Sequence, residues 1–578
     1  MKQICHTSVR HVTARNRVGA LFALAFVLLT SQGVLSHAQS NKPLSLPFNT
    51  PPGKNTWLLS QQYGNTVGAF NYGRYWYAAG QNLHFGLDFW APCGTPVLAV
   101  ADGEVDQVDN PSFGLEPHNL TIFHRELGYT SIYGHLQVKP TVLKGQPVRR
   151  GEQIAVVGDA DGTCVSRPHL HLEIRSRDYT IAYNPMPLID ADWSALATIG
   201  YHHFGGFTKD LYYPNRWQTY DAQPDVDFNE RPLNDYPAAL PVPARNAPPP
   251  ITLPAFTVPD SPADAKASAQ RLTTPGCCSQ PSFRYDSGAV QFWNGLEGQA
   301  AQLFEVPIPL QGEPQAVAVA NLPPQIYSND GQFYLTEGFG RSTITRRTDF
   351  TRQEVSTGGA YPRFSPNSTR ILWHRFPADN IPGGIPPLTE VWVANADGTG
   401  RDLLGTQQGG NVYWLDEDRI LSVEPVGRTQ TFKMFIWSIS TRQRQELLTV
   451  KNLRGVQIAP GGALLLFYAP FQDDPNVSGV YGLVTQIGAQ PIQLPFFSSY
   501  RWRDSKRILY LLYGDALSAT LSAGAVRLAE YDVTTGIQRV LTDQPFRIAN
   551  DDWHVSPNGR YVVYWSEDDS ALWLLTLP

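Results

Sequence analysis

The chain has 578 residues, which is too long for one hydrophobic core and indicates two or three domains. Its 45 Lys and Arg residues against 51 Asp and Glu residues exclude a general nucleic-acid or acidic-membrane binder. The 48 glycines, 47 prolines and frequent aromatic residues favour turn-rich β structure over helical bundles, so we expect an all-β fold.

Residues 1–38 have the pattern of a secretory signal. Arg10, Arg15 and Arg17 precede the apolar run "VGALFALAFVLL", and Ser36 and Ala38 occupy the small-residue cleavage positions. The alternative, an uncleaved membrane anchor, is disfavoured because the run is short and ends in small and polar residues. We therefore predict a secreted, extracellular or periplasmic protein with no stable membrane span after signal cleavage.

Residues 39–190 form the first predicted domain, which contains strand-like runs such as "TPVLAVADGEV" and "NLTIFHR". Within "HFGLDF", His84 and Asp88 are four residues apart, and their side chains can share one face in a strand or in a helical turn. Taken alone, this pair could equally be a strand-end histidine beside an unrelated aspartate.

The run "YTSIYGHL" ends in His135, and alternation predicts that Tyr133 lies on the same face. An exposed loop histidine is the alternative for His135. Asn119 begins the strand within "HNLTIFH", and we interpret the flanking His118 and His124 as structural or surface residues.

The run "HLHLEI" alternates polar and apolar residues, as in a half-buried strand. His169, His171 and Glu173 should point to one face, with the two imidazoles about 7 Å apart, while the apolar residues between them point into a core. This spacing suits two groups around one metal–water centre. A solvated sheet face is the alternative.

These residues together predict a catalytic zinc site. Such a site takes three protein ligands and leaves one position for water. His84 and Asp88 with one histidine of the "HLH" pair would supply two nitrogens and one oxygen, and the other histidines would be free for proton transfer. The sequence has no HExxH motif, which excludes the helix-based arrangement of other zinc peptidases.

Four cysteines remain after removal of the signal, in an oxidising compartment. We expect Cys93 and Cys164 to pair, because each lies five residues from a candidate site residue, Asp88 or His169. Cys277 and Cys278 are adjacent, and a disulfide between neighbours is strained, so their pairing stays open.

The remaining chain divides into three segments. Residues 191–236 are aromatic and irregular and are predicted to be an extension wrapped on the first domain. Residues 237–280 are predicted to be a linker, because nine prolines between 237 and 262 favour a stiff, extended chain. Residues 281–578 contain a repeat of a short strand, a polar turn and a stronger apolar strand, which starts near residues 281, 324, 362, 413, 456, 500 and 553.

This repeat has the period of a four-stranded propeller blade. Its "SPNS" and "SPNG" turns resemble those of the TolB-type β-propeller. The seven starts favour seven blades, but the last repeat ends without an outer strand. Six blades, or closure by an N-terminal strand, therefore remain open. The propeller has no metal or acid–base cluster comparable to that of the first domain, so we expect it to bind a protein or a glycan.

Residues 81–185 resemble the lysostaphin/LytM-type zinc metalloendopeptidases, through "HFGLDFWAPCGTPVLAVADGEV", "NLTIFHRELGYTSIYGHL", "VLKGQPVRRGEQIAVVG" and "RPHLHLEIR". The resemblance implies a duplicated-hybrid-motif β-barrel or sandwich. It also implies one Zn²⁺ per peptidase domain held by His84, Asp88 and His171, catalytic roles for His135 and His169, and substrate contacts from Asn119 and Tyr133.

The implied function is hydrolysis of peptidoglycan cross-links or glycine-rich peptides by a cell-wall-associated enzyme. Glu173 could hold His169 or His171 in one tautomer. The competing function is a zinc-binding wall binder or regulator that does not hydrolyse. A biotinyl- or lipoyl-carrier barrel, which the hairpins also resemble, is disfavoured because "VADGEV" offers no lysine to modify.

Overall fold

A computed structural model describes residues 42–200, 206–207, 217–233, 262, 264–278, 280–294, 302–320, 326–338, 341–356, 362–375, 388–513 and 524–578. The predicted signal, residues 1–38, lies outside the described residues, as does most of the predicted Pro-rich linker. Residues 42–578 form one packed unit. Among the helices of the described part, none is long and apolar enough to cross a membrane.

The N-terminal domain contains twelve strands and two α-helices in the described residues. The strands are β1 (Leu58–Gln61), β2 (Leu87–Trp90), β3 (Pro96–Leu98), β4 (Gly103–Val108), β5 (Leu120–His124), β6 (Tyr129–Gly134), β7 (Pro147–Val148), β8 (Gln153–Val156), β9 (Gly158–Asp159), β10 (Pro168–Arg175), β11 (Ile181–Tyr183) and β12 (Val226–Asp227). The helices are α1 (Val67–Trp76) and α2 (Trp193–Ala197).

One large antiparallel sheet organises this domain, with strand order β1-β2-β10-β6-β5-β4-β7. β9 and β11 also pair with β10, β12 pairs with β11, and β3 and β8 form a separate two-stranded sheet. The alternation predicted for "HLHLEI" is present in β10, where Leu170, Leu172 and Ile174 are fully buried in the domain core. Packing of these three side chains fixes which residues of β10 face the other side.

The C-terminal domain is a seven-bladed propeller, in agreement with the seven predicted starts. β13 (Ser268–Arg271) precedes it in the chain. The first three blades are β14 (Ser282–Phe283), β15 (Ala289–Asn294), β16 (Gln302–Pro307) and β17 (Val317–Ala320); β18 (Ile326–Tyr327), β19 (Phe333–Gly338), β20 (Arg341–Arg346) and β21 (Arg352–Ser356); and β22 (Arg363–Phe364), β23 (Arg370–Arg375), β24 (Leu388–Asn395) and β25 (Asp402–Gln408).

The next three blades are β26 (Asn411–Trp414), β27 (Arg419–Pro425), β28 (Thr431–Ser438) and β29 (Arg444–Lys451); β30 (Arg454–Ile458), β31 (Leu464–Ala469), β32 (Gly479–Val484) and β33 (Ile492–Gln493); and β34 (Tyr500–Trp502), β35 (Arg507–Tyr513), β36 (Val526–Asp532) and β37 (Gln538–Val540). The last contains β38 (Ile548–Val555), β39 (Tyr561–Ser566) and β40 (Leu572–Thr576).

The last blade obtains its outer strand from the other end of the propeller sequence. β13 pairs antiparallel with β40, from Ser268 opposite Thr576 to Arg271 opposite Trp573. The range predicted as linker, 237–280, therefore extends too far, because its final residues belong to the propeller. Backbone pairing of this kind closes the ring without leaving β40 as an open edge.

The "SPNG" turn has a local reason to recur in the blades. The Ser556 hydroxyl donates to the Asn558 side chain and accepts from the Tyr561 amide, while Asn558 also accepts from the Arg560 amide. In the "SPNS" turn, Ser365 accepts from the Arg370 amide in the same way. Short polar side chains thus satisfy the backbone of each turn before the apolar strand begins.

Two adjacent leucines of β1 join the domains. Leu59 packs in the core of the N-terminal domain, whereas Leu58, which is 2% exposed, packs with Ile199 in the core of the propeller's last blades. Since successive side chains of a strand point to opposite faces, β1 is buried on both sides. The propeller is therefore packed against the N-terminal domain and is not a separately tethered module.

Residues of the predicted extension, 191–236, add polar contacts to this interface. Arg547 forms an ion pair with Asp192 at 3.3 Å, and the Ser499 amide donates to the Thr198 carbonyl at 2.8 Å. At the opposite end of the interface, the Phe471 amide donates to the Lys54 carbonyl at 2.8 Å. The described residues 192–198 of the extension thus lie between the two domains as well as on the first.

The structure contains two disulfides among its described residues. Cys93 and Cys164 are joined across a sequence separation of 71 residues, the pairing we expected from their positions. Cys277 and Cys278 are joined to each other, although strain between neighbours had left this pairing open. The first disulfide connects the loop after β2 to the loop before β10, the two segments that flank the candidate site.

We predict that Leu58→Ala lowers the free energy of unfolding by about 2–5 kcal/mol, because it leaves a cavity in the shared core. Leu143→Ala removes the same atoms from a side chain that is 72% exposed, and should change stability by less than about 0.5 kcal/mol. Urea unfolding followed by tryptophan fluorescence measures both. Equal stability of the two variants would contradict a role for Leu58 in joining the domains.

Candidate active site

The cluster forms on β10 because of its register with its two neighbours. His171 lies opposite Asp88 on β2 and opposite Gly134 on β6. Residues directly opposite each other share a face of the sheet, with Cβ atoms about 4.5–5.5 Å apart. The Asp88 carboxylate consequently lies 2.7 Å from Nδ1 of His171.

His84 reaches the same point from just before β2. Its backbone pairs with Gly64, and its Nε2 lies 3.4 Å from the Asp88 carboxylate. One nitrogen each from His84 and His171 and one oxygen from Asp88 lie within 4.8 Å of one another. The structure therefore brings together the three residues predicted as metal ligands.

The second ring nitrogen of each of these histidines has a hydrogen-bonding partner in the protein. Nδ1 of His84 lies 2.7 Å from the carbonyl of Gln62 and must be the donor, which leaves Nε2 with a lone pair. Nε2 of His171 lies 3.1 Å from the Glu173 carboxylate. Histidine ligands of metals commonly have their second nitrogen fixed in this way.

The His84 lone pair is the observation that tests whether a metal fits. Its Nε2 is buried and makes no hydrogen bond to any described residue. An unpartnered buried polar atom costs free energy, which a bound cation would offset. With the adjacent carboxylate and imidazole, the donor set fits a divalent transition metal.

Electrostatics at the cluster also favour a cation. Burial alone would raise the pKa of the Asp88 carboxyl, but the adjacent His84 and His171 outweigh it and hold that pKa well below its usual range. Burial alone would lower the pKa of His171, but its hydrogen bonds to Asp88 and Glu173 raise it to about 10. The same negative charge that holds a proton on this ring would attract a metal ion.

Glu173 is held by a second buried charge. It is fully buried, and the Arg175 guanidinium donates to it. That guanidinium also lies over the Phe228 ring at 4.1 Å and the Phe85 ring at 5.5 Å. Beyond His171, the face of β10 that carries the histidines is therefore covered by the rings of Phe85 and Phe228. Sequence alternation alone could not show this cover.

Gly86 keeps the space beside His171 open. A Cβ atom at this position would lie 2.5 Å from Nε2 of His171 and 3.0 Å from the Leu172 carbonyl. Any side chain here would displace the ring from Glu173. This explains why the segment between His84 and Asp88 contains a glycine.

A second pair of histidines lies beside the cluster. The ring centroids of His135 and His169 are 4.7 Å apart, and His135 is 6.1 Å from His171. Nδ1 of each is 2.6 Å from a backbone carbonyl, that of Glu116 for His135 and that of Arg167 for His169. Since carbonyls only accept, each ring must donate from Nδ1, and each Nε2 keeps a lone pair.

The pKa values of this pair are consistent with neutral rings. Burial, together with the neighbouring His169 and His171, lowers the pKa of His135 to about 3. Burial also lowers the pKa of His169. Neutral imidazoles with a free Nε2 can accept a proton and can then return it.

Tyr133 does not reach the site, contrary to our prediction of a substrate contact. It lies opposite Leu172, so it shares the core face, and its fully buried hydroxyl accepts from the Val100 amide at 2.9 Å. The family resemblance had implied the substrate contact, and strand alternation had predicted that Tyr133 shares a face with His135. His135 has a φ of +57°, which ends the strand and redirects its side chain to the face of His171.

Asn119 lies one residue before Leu120, which pairs with Tyr133, so alternation places Asn119 on the site face. Both ends of its side-chain amide bond to the Asn110 backbone at 3.0 Å. It thus holds the loop that precedes β5, and its contact with substrate stays a prediction. His118 pairs with Asp109 and His124 lies buried against Ser131, away from the cluster.

The sequence reasoning missed Tyr77. Its ring lies 5.2 Å from that of His84, and its hydroxyl donates to Gln61 at 3.0 Å. Burial and the nearby Asp88 raise the pKa of this hydroxyl, which therefore remains protonated. No motif marks Tyr77, because only the fold of the segment after α1 brings it to the site.

Comparison with known proteins gives one family. The family model of Peptidase family M23 matches residues 82–185, which include the three candidate ligands and both further histidines. This range agrees with residues 81–185, for which we noted the lysostaphin/LytM resemblance.

Two curated relatives match the same region. Cell division protein DipM of Caulobacter vibrioides is 41% identical over 92 residues, which are 16% of this chain and 14% of DipM. Peptidoglycan DD-endopeptidase ShyB of Vibrio cholerae is 36% identical over 126 residues, 22% of this chain and 28% of ShyB. The chain thus spans less than a third of the length of these relatives.

Among solved structures, TolB from Acinetobacter baumannii superposes with a TM-score of 0.28 and 15% identity. The superposition covers 52% of this chain and 78% of TolB. The blade count rests on the seven sheets of this chain and not on that superposition.

We predict that Glu173→Gln weakens binding of a divalent metal by about 10–100-fold, because it removes the charge that supports His171 while keeping an acceptor for Arg175. Equilibrium dialysis with Zn²⁺ or Co²⁺ and metal analysis measures this affinity. Glu126→Gln, on an exposed hairpin turn, is the matched control and should bind as the unmodified chain does. An unchanged metal affinity in Glu173→Gln would show that Glu173 does not support metal binding.

Proposed function

We propose that the protein, whose residues 82–185 are an M23 peptidase domain, is a secreted endopeptidase that hydrolyses peptide bonds in peptidoglycan cross-links. The name of ShyB, a peptidoglycan DD-endopeptidase, supports this substrate class. The supporting observation within the chain is the juxtaposition of a candidate three-ligand cluster with two histidines whose Nδ1 atoms are anchored on backbone carbonyls. A secreted or periplasmic, wall-associated location follows from that substrate.

We propose zinc as the metal, with one ion held by His84, Asp88 and His171. Two nitrogen ligands and one oxygen ligand are typical of catalytic zinc, which keeps one position open. When bound, zinc supplies polarisation of the scissile carbonyl and lowers the pKa of water toward about 7. Glu173 and the Gln62 carbonyl keep the two ligand imidazoles in one orientation each.

His135 and His169 would transfer the protons during hydrolysis. Their Nδ1–H groups are anchored on carbonyls, so each Nε2 can be aimed at the reacting centre without reorganisation. One ring would take a proton from the attacking water. The other would then stabilise the oxyanion as a donor, or protonate the leaving amine.

A zinc-binding wall binder or regulator that does not hydrolyse is the second candidate. The presence of both anchored histidines favours the enzyme, because binding alone requires no free imidazole nitrogens beside the ligands. The two candidates differ in whether the substrate is cleaved.

We predict that the purified protein clears a suspension of purified peptidoglycan and that a chelator stops the clearing, with recovery on addition of Zn²⁺. Turbidity and mass spectrometry of the released peptides measure this. A protein that binds one zinc ion and sediments with peptidoglycan, but releases no peptide, would support the second candidate.

We predict that His169→Ala and His135→Ala each lower kcat by about 10²–10⁴-fold while the metal content stays at one ion per chain. His118→Ala is the matched control, since His118 bonds Asp109 outside the cluster and should keep its activity. Release of soluble peptides gives the rate, and metal analysis gives the occupancy. Full activity in both histidine variants would exclude the proposed proton transfers.

A further inference from the structure

A cleft of about 490 Å³ lies between the two domains, beside the strand that carries the histidines. Its first wall includes Trp90, Pro168 and the Cys93–Cys164 disulfide. Trp90 lies directly opposite His169 in the sheet. Propeller loops at residues 429–431, 451–454 and 471–475 form the other wall. A peptide held at His169 would thus pass close to the propeller.

Arg454 is the cation that the propeller presents to this cleft. Its guanidinium lies 4.8 Å from the Trp90 ring across the interface and 5.7 Å from the Phe432 ring. It donates to the adjacent Leu453 carbonyl. No carboxylate of the described residues lies within ion-pair distance of it. By contrast, the neighbouring Lys451 is neutralised by Asp473 at 2.6 Å.

Arg167 brings a second positive charge to the same place. Its backbone carbonyl anchors His169, and its exposed side chain is close enough that its charge adds to burial in lowering the pKa of Arg454 to about 10. Arg167 lies in the chain between Val165 and Pro168, which both line the cleft, so two positive charges from separate domains repel each other there. This arrangement costs free energy, which a bound anion would offset.

We propose that the cleft is a substrate subsite, in which Arg454 and Arg167 bind a carboxylate of the peptide substrate and make the propeller part of substrate selection. This inference rests on the proposed function. The guanidinium fork matches a carboxylate with two parallel hydrogen bonds. Trp90 fixes the Arg454 fork by stacking and offers an apolar surface to the rest of the residue that carries the carboxylate. The cleft volume is in the range of sites for small ligands.

The position of the subsite gives it a specific role. It is adjacent to His169, so it would bind a residue close to the scissile bond and would affect kcat/KM, not only attachment to the wall. The propeller would then act at the active site and not only as a binding module.

The test uses the full chain and two synthetic cross-linked peptides that are identical except for one carboxylate, which is free in the first and amidated in the second. We expect the unmodified protein to prefer the acid by about tenfold or more in kcat/KM, as for a hydrogen-bonded charge pair. In Arg454→Gln and in Arg167→Gln this ratio should fall to near one, and Arg454→Lys should keep part of it. Arg352→Gln, at an exposed position on the outer strand β21, is the matched control and should keep the full ratio.

An acid-to-amide ratio that is the same in folded Arg454→Gln, in folded Arg167→Gln and in the unmodified protein would overturn the subsite. Failure of the proposed function is distinguishable, because the unmodified protein would then cleave neither peptide. In that case, tryptophan fluorescence titration of the unmodified protein with each peptide measures binding directly. Equal affinities for acid and amide would overturn the inference, and a preference for the acid that Arg454→Gln removes would support it.

Discussion

The register of β10 between β2 and β6 is the constraint on which the candidate site depends. His171 lies opposite Asp88 on one side and Gly134 on the other. The same register therefore positions both the candidate metal cluster and His135, which follows Gly134 in the chain. Three fully buried apolar residues of β10 hold that alignment, because a shift by one position would exchange them with the polar residues. Packing in the core of the domain thereby determines which side chains meet at the candidate site.

Charge at the site is arranged around an opening for one cation. Asp88 and Glu173 flank the ring of His171, Arg175 neutralises the far side of Glu173, and the buried Nε2 of His84 has no hydrogen-bond partner among the described residues. Burying so many ionisable groups costs free energy unless each has a partner. A divalent metal would supply a partner for this nitrogen, and the two anchored histidines lie beside the cluster that would hold it.

Because the two domains pack together, residues of the propeller lie close to the candidate site. Leu58 and Leu59 are neighbours in β1, yet they fill the cores of different domains. The docked propeller places Arg454 over Trp90, which is paired with His169. A tethered propeller could lie at any distance from the candidate site, whereas the docked one lines a cleft beside the strand that carries its histidines.

The choice of His171 over His169 as the candidate ligand beside His84 and Asp88 came from the family resemblance. Local periodicity and composition were sufficient to predict the all-β class, a propeller of six or seven blades and the polar face of β10. These features depend on side-chain alternation within one strand or on spacing within one repeat, and both can be read along the chain. Tyr133 does not share a face with His135, as alternation had predicted, because a single positive φ at His135 breaks the alternation.

The docking of the propeller, the closure of its ring by β13 and the position of Tyr77 depend on contacts between residues far apart in the sequence. No local pattern marks them, since Leu58 looks like any strand leucine and β13 lies in a range that its neighbouring prolines made resemble a linker. The amino-acid sequence by itself determined which groups could hold a metal and move protons. Only the tertiary structure decided which surfaces surround them, because that depends on which distant apolar faces are buried together.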